Sequence, residues 1–130
     1  MPRLVTMPGR FAICRLPADA VLPAWTGSST FASITRTPDE LSIVCDEESV
    51  PEGARAETGW NLLKVEGPLD FSAVGIVASL TAPIAAAGIS IFVISTFDTD
   101  YLLVKAENLD TAADALRRAG HAVHPDSATA

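Results

Sequence analysis

The sequence predicts an α+β protein, a ferredoxin-like sandwich with helices on one face of an antiparallel sheet. Three observations predict it. The second half of the chain runs through strand and helix patterns in the order βαββαβ, the split βαβ arrangement of that architecture. Its apolar residues change from short strand-like runs to helical spacing wherever that order requires. Capping and turn residues, glycine above all, punctuate each change.

WNLLKVEG, residues 60 to 67, reads as a strand. PLDFSAVG leads into a helix that carries Val74, Val77, Ala78, Leu80, Thr81, Ile84 and Ala85, close to the i, i+3, i+4, i+7 series. Asp70 or Ser72 is placed to cap its start and Gly88 its end, so the helix is expected over 72–87 with a kink or break at Pro83. ISIFVIS and DYLLVKA are two strands, LDTAADALRRAG is a capped amphipathic helix with Arg117 and Arg118 in its last turn, and HAV is a short final strand.

The first half reads as a shorter copy, βαββ. RFAICRL is a strand, and residues 17–25 fit a short helix entered at Pro17 and cut by Pro23. FASITRT and LSIVCDE are strands joined at Pro38-Asp39-Glu40. Residues 47–59 are acidic, bear Pro and Gly and lack periodicity, the marks of a linker. The expected organisation is a degenerate N-terminal half (1–58), a C-terminal domain (59–124) and a frayed tail (125–130).

Composition narrows the function. With 130 residues, 48% of them hydrophobic, there is enough apolar side chain for a sizeable core. A net charge of -7 argues against nucleic acid and against anionic membrane surfaces, both of which select Lys and Arg. Cys14 and Cys45 lie in apolar strand-like runs without CxxC spacing, as buried free thiols of a reducing compartment do. The first ten residues lack the apolar stretch of a secretory signal, and no apolar run approaches the roughly 20 residues of a membrane span. A cytoplasmic location is expected.

The stretch PLDFSAVGIVASLTAPIAAAGISIFVISTFDTDYLLVK resembles an ACT domain. Leu69 to Val77, Gly88-Ile89-Ser90 and Ile94-Ser95-Thr96-Phe97 with Asp100 carry the likeness. The STFxxD hairpin points more narrowly to the CASTOR-like ACT subfamily, which includes bacterial stand-alone amino-acid-binding proteins. The resemblance implies a regulatory module without catalysis of its own, taking a free amino acid at the junction of ACT domains in a homodimer. Carried over by position, the site is Asp70, Phe71, Ser72 and Gly75 in the strand-to-helix loop, Thr96, Phe97 and Asp100 in the hairpin, and Ser90 and Ile91 from across the junction. Ala73 stands where the subfamily's arginine-binding members have a second acid. That departure implies a small or neutral amino acid rather than arginine.

Residue chemistry agrees with such a site. A helix N-terminus offers unpaired N–H groups to a ligand carboxylate, and a glycine at position 75 lets a ligand approach the backbone. Asp100 suits an ammonium, and Phe97 suits the ligand's apolar part. The same residues have plainer readings. Asp70 is also a helix cap, Asp98 and Thr99 are also turn residues, and Asp100 is also a solvated strand end. Phe97 is also satellite packing, and Gly75 also relieves crowding between helix and sheet.

Enzyme readings fare worse. His121, His124 and Asp126 fall in a terminal strand and tail with no further ligand at fixed spacing, and GxSxG, P-loop and GxGxxG motifs are missing. No cofactor is implied. Two alternatives stay open: a structural dimerisation module with a vestigial pocket, and a small enzyme using the cleft of this fold.

Overall fold

The run Arg3–Thr6 forms a strand, β1, that no periodicity announces, because four residues between Pro2 and Pro8 are too few to show one. In the computed structural model, which describes residues 2–70 and 73–125, β1 pairs antiparallel with β5 (Ala56–Val65), Leu4 opposite Val65. On its other side it pairs parallel with β8 (Ala122–His124), Leu4 opposite Val123. Leu4 is thus fully buried at the centre of a core rather than in a loose terminus.

The chain divides into two compact units, Met1–Pro8 with Asn61–Ala130, and Gly9–Trp60. In the first, β5, α1 (Ile76–Ala86), β6 (Phe92–Ser95), β7 (Asp100–Lys105), α2 (Leu109–Arg118) and β8 follow one another as βαββαβ. The strands lie in the order β8-β1-β5-β7-β6, so β1 sits between the strands that open and close the βαββαβ run. Leu80 and Ile84 of α1 and Ala112 and Leu116 of α2 pack with Leu4, Leu63, Val65, Leu102 and Val104, all fully buried. Each large apolar side chain so buried contributes about 1.5–3 kcal/mol relative to exposure.

Both helices end in the same way. Gly88 and Gly120 take left-handed conformations, with φ of 78° and 98°. After α1, the Gly88 and Ile89 amides donate back to the Ala85 and Ile84 carbonyls; after α2, those of Gly120 and His121 donate to Arg117 and Leu116. These are Schellman motifs, which need a residue free to adopt positive φ. Ile89 then buries itself in the same core as Ile84.

The start of α1 departs from the expected 72–87 span. It begins at Ile76, and Gly75 is its N-cap, with φ 79° and no side-chain cap bond. A residue held left-handed cannot lie inside the helix, so Asp70 does not cap it, and Gly75 precedes the first turn instead of belonging to it. Pro83 sits inside α1 without ending it. Lacking an N–H, it leaves the Ser79 carbonyl without the usual i+4 donor.

In the second unit, β3 (Ala32–Arg36), β4 (Leu41–Asp46), β2 (Phe11–Leu16) and the beginning of β5 lie in that order, antiparallel throughout. The helix expected over 17–25 does not form; a 3-10 turn at Ala24–Ser28 follows an irregular loop. Arg36 explains the difference. Its guanidinium donates to the carbonyls of Ala18 and Ala20, which a helix would have needed as acceptors. The expected linker is also shorter, since β5 begins at Ala56 and Glu47 accepts the Gly59 amide at 2.7 Å.

Cys14 and Cys45 are free, buried thiols on β2 and β4. Cys45 pairs with Ala12, which sets Cys14 diagonally beside it on one face. Burial pushes both thiols up, and for Cys45, where the neighbouring Cys14 and Asp46 add to burial, up to about 12.

Two outcomes are expected. Leu4→Ala should cost about 2–5 kcal/mol in urea unfolding, as a fully buried leucine does, while exposed Arg3→Ala costs under about 1 kcal/mol. An undiminished stability for Leu4→Ala would show that β1 is not part of the core. Native Cys14 and Cys45 should also resist iodoacetamide at pH 8 and react once unfolded. Above the ordinary thiol value of 9.0 the unfolded chain loses protons that the native state keeps, so stability should fall as pH rises through 9.0; below it the contribution is complete.

Candidate functional site

The hairpin between β6 and β7 is closed by four residues, Thr96 to Thr99, with Ser95 opposite Asp100. The Thr96 amide and hydroxyl donate to the Thr99 carbonyl at 2.8 and 3.0 Å, and the Thr96 hydroxyl accepts the Thr99 amide at 3.3 Å. A polar turn with no glycine is stable here because side-chain oxygens supply the bonds that positive φ angles would otherwise bring about. The Thr99 side chain, buried, donates to the Val65 carbonyl at 2.6 Å, and the Leu69 amide donates to the Asp98 carbonyl at 2.6 Å. These two bonds fasten the hairpin to the segment that leads into α1.

Between hairpin and helix lies an open pocket of about 700 Å³. Asp70, Ala73 and Gly75 line it from the segment before α1, Ile76, Val77, Ala78 and Thr81 from the first turns of α1, and Ser95 through Asp100 from the hairpin. Three carboxylates, those of Asp70, Asp98 and Asp100, belong to this lining, and among the described residues no Lys, Arg or His does. The Ser95 hydroxyl donates to Asp100 Oδ1 at 2.6 Å, which orients the half-buried carboxylate. Phe97 stands at the tip with 78% of its surface exposed, beside the opening rather than packed into a core. The first amides of a helix have no partner within it, so the same pocket combines donors at one wall with carboxylates at another.

Of the residues expected in the site, Asp70, Gly75, Thr96, Phe97 and Asp100 meet in this pocket. Phe71 and Ser72 lie outside the described residues. Ser90 and Ile91 do not line the pocket. They follow the C-terminal end of α1, whereas the pocket is at its N-terminal end, and a helix of 11 residues spans roughly 16 Å. The face formed by Ile76, Val77, Ala78 and Thr81 is not legible in the sequence, because those residues read as core or surface until the helix start is placed. Asp98, read as a turn residue, is also part of the lining. Among the described residues no cluster of three or more His, Cys, Asp and Glu is arranged to hold a metal ion, and no helix is long and apolar enough to cross a membrane.

A family model described as the ACT domain matches residues 55–118, and a second model, described as an N-terminal domain, matches residues 9–53. The cytosolic arginine sensor for mTORC1 subunit 1 of Pongo abelii is 33% identical over 113 residues, 80% of this chain and 34% of that protein, so the chain spans about a third of it. The human protein CASTOR3P is 33% identical over 123 residues, covering 82% of this chain and 75% of its own length. Among solved structures, the crystal structure of protein Atu0741 from Agobacterium tumefaciens is 44% identical, with a TM-score of 0.91 over 96% of this chain and 93% of that one.

Thr99→Val should cost about 1–3 kcal/mol in chemical denaturation, since it removes the buried hydroxyl that donates to the Val65 carbonyl. Thr111→Val, at an exposed position, should change stability by less than about 0.5 kcal/mol. Equal effects of the two substitutions would show that the hairpin is not held through Thr99.

Proposed function

The chain belongs to the ACT domain family, of the CASTOR-like kind, and on that premise we propose that it is a regulatory protein that binds a free amino acid. The observation that carries this reading is the pocket itself. It sets the amino end of α1 against Asp70, Asp98 and Asp100, with no cationic side chain between them among the described residues. A free amino acid has the matching groups: a carboxylate for the helix amides and an ammonium for Asp100. The exposed ring of Phe97 is positioned to cover an apolar or planar side chain.

Three lining carboxylates disfavour an acidic ligand, because each added like charge at a few ångströms costs about 1 kcal/mol even in water-like surroundings. Ala73 withholds one acid that would select a guanidinium, and Asp98 supplies another from the hairpin. The ligand class is therefore a neutral or basic amino acid. The role is regulatory rather than catalytic, as the ACT family membership and the likeness to an arginine sensor support. The relatives named as cytosolic and the two free thiols support a cytoplasmic location.

We also propose a homodimer. Among the described residues β6 pairs only with β7 and ends the strand order, so its outer edge and half-exposed Val93 are open to pairing. Ser90 and Ile91, just before this edge, would reach a pocket only on a second copy.

The reading is tested by a thermal-shift series over the common L-amino acids. At 100 times its Kd a ligand adds about 2.7 kcal/mol, a rise in Tm on the order of 10 °C for a domain of this size. At least one neutral or basic amino acid should produce it, and aspartate and glutamate should not. Asp100→Asn keeps an oxygen for the Ser95 hydroxyl but loses the charge, so ligand-free stability should hold while affinity drops roughly 10- to 150-fold. If no amino acid raises Tm, the pocket is vestigial and the protein is a structural dimerisation module.

A further inference from the structure

His121 lies outside the pocket, is 4% exposed, and takes no part in the reading above. Its backbone is the last residue of the Schellman motif that ends α2, with its amide on the Leu116 carbonyl at 3.0 Å. That motif aims the imidazole at α1, where Nε2 lies 3.1 Å from the Ser79 carbonyl oxygen. A carbonyl only accepts, so Nε2 carries the proton. The other ring nitrogen, Nδ1, is buried without a hydrogen-bond partner among the described residues.

The Ser79 carbonyl is the acceptor that a residue at position 83 serves in an uninterrupted helix, and Pro83 has no N–H to give. One helix therefore has an orphaned acceptor at the fourth residue of its span, and a buried histidine from another element carries the matching donor. Ile76, Val77 and Ala78, in the turn just before Ser79, line the pocket, as does Thr81 just after it.

We infer that His121 is a positioning residue for the amino-acid pocket: it replaces the amide that Pro83 lacks and so fixes the pocket-lining turns of α1. The role of the pocket rests on the reading above; the Pro83–Ser79–His121 relay rests on this geometry alone. An imidazole donor holds the helix from the side, which an amide within the helix cannot do, and so ties the wall of the pocket to the end of α2.

A double-substitution cycle tests this on the ligand-free protein. His121→Leu keeps an apolar side chain of similar reach and removes the donor; Pro83→Ala restores the backbone N–H. In the native background His121→Leu should raise the unfolding equilibrium constant about 5- to 30-fold, and in the Pro83→Ala background less than about threefold. The amide resonances of Ile76, Val77 and Ala78 should move in His121→Leu and return towards their native positions in the double variant. A histidine that merely fills space would destabilise both backgrounds equally, and equal factors overturn the inference. So does an unchanged set of Ile76–Ala78 resonances in His121→Leu. Should His121→Leu not fold in the native background, folding of the double variant supports the inference, and failure of the double variant overturns it. Because no amino acid is present, a protein that binds none would remove the proposed ligand role without altering the outcome of this cycle.

Discussion

The pocket depends on one constraint: the hairpin and the segment before α1 are fastened to each other before any ligand arrives. The Thr99 hydroxyl on the Val65 carbonyl and the Leu69 amide on the Asp98 carbonyl are the fastenings. Gly67 makes the approach possible, since a Cβ there would lie 3.0 Å from both the Asp98 carbonyl oxygen and the Thr99 Cβ. The distance between the two walls is thus set by one main-chain bond, Leu69 to Asp98, and by the short, buried side chain of Thr99. A binding site whose walls are already in place loses less ordering entropy when a small ligand enters.

Three helix ends in this unit divide their work by the same physics. The carboxyl ends of α1 and α2 are closed by glycine-dependent motifs that satisfy their last carbonyls. The amino end of α1 has no side-chain cap, because its N-cap is Gly75 in a left-handed conformation. The residues of its first turn line the same pocket as Asp100. Glycine-closed ends stabilise the fold, and the end without a side-chain cap from its N-cap residue is where the candidate ligand site lies.

The polar hairpin shows how far site residues can be read from sequence. Its concentration of hydroxyls and carboxylates coincides with a pocket, which Asp70, Gly75, Thr96, Phe97 and Asp100 line together. The chemistry of each residue is a separate matter. The hydroxyls of Thr96 and Thr99 are engaged within the hairpin and with β5, whereas the Phe97 ring is largely exposed at the pocket and the Asp100 carboxylate is oriented there by Ser95. Donor and acceptor counts are a property of the folded neighbourhood, and a string of residues does not state them.

Periodicity determined the βαββαβ order, the two helices and the buried faces of β5 and β7, because apolar spacing reports directly on which side chains leave water. Motif determined the family resemblance and drew attention to the hairpin that lines the pocket. The tertiary structure decided the rest. Four residues of β1 become a strand because two other strands present unpaired backbone on either side of them. Residues 17–25 fail to form a helix because Arg36 takes their carbonyls. Pro83 stays inside α1 with His121, 42 residues from Ser79 in sequence, beside the carbonyl it orphans. In each case the deciding partner is distant along the chain, and local sequence patterns carry information only about neighbours within a turn or two.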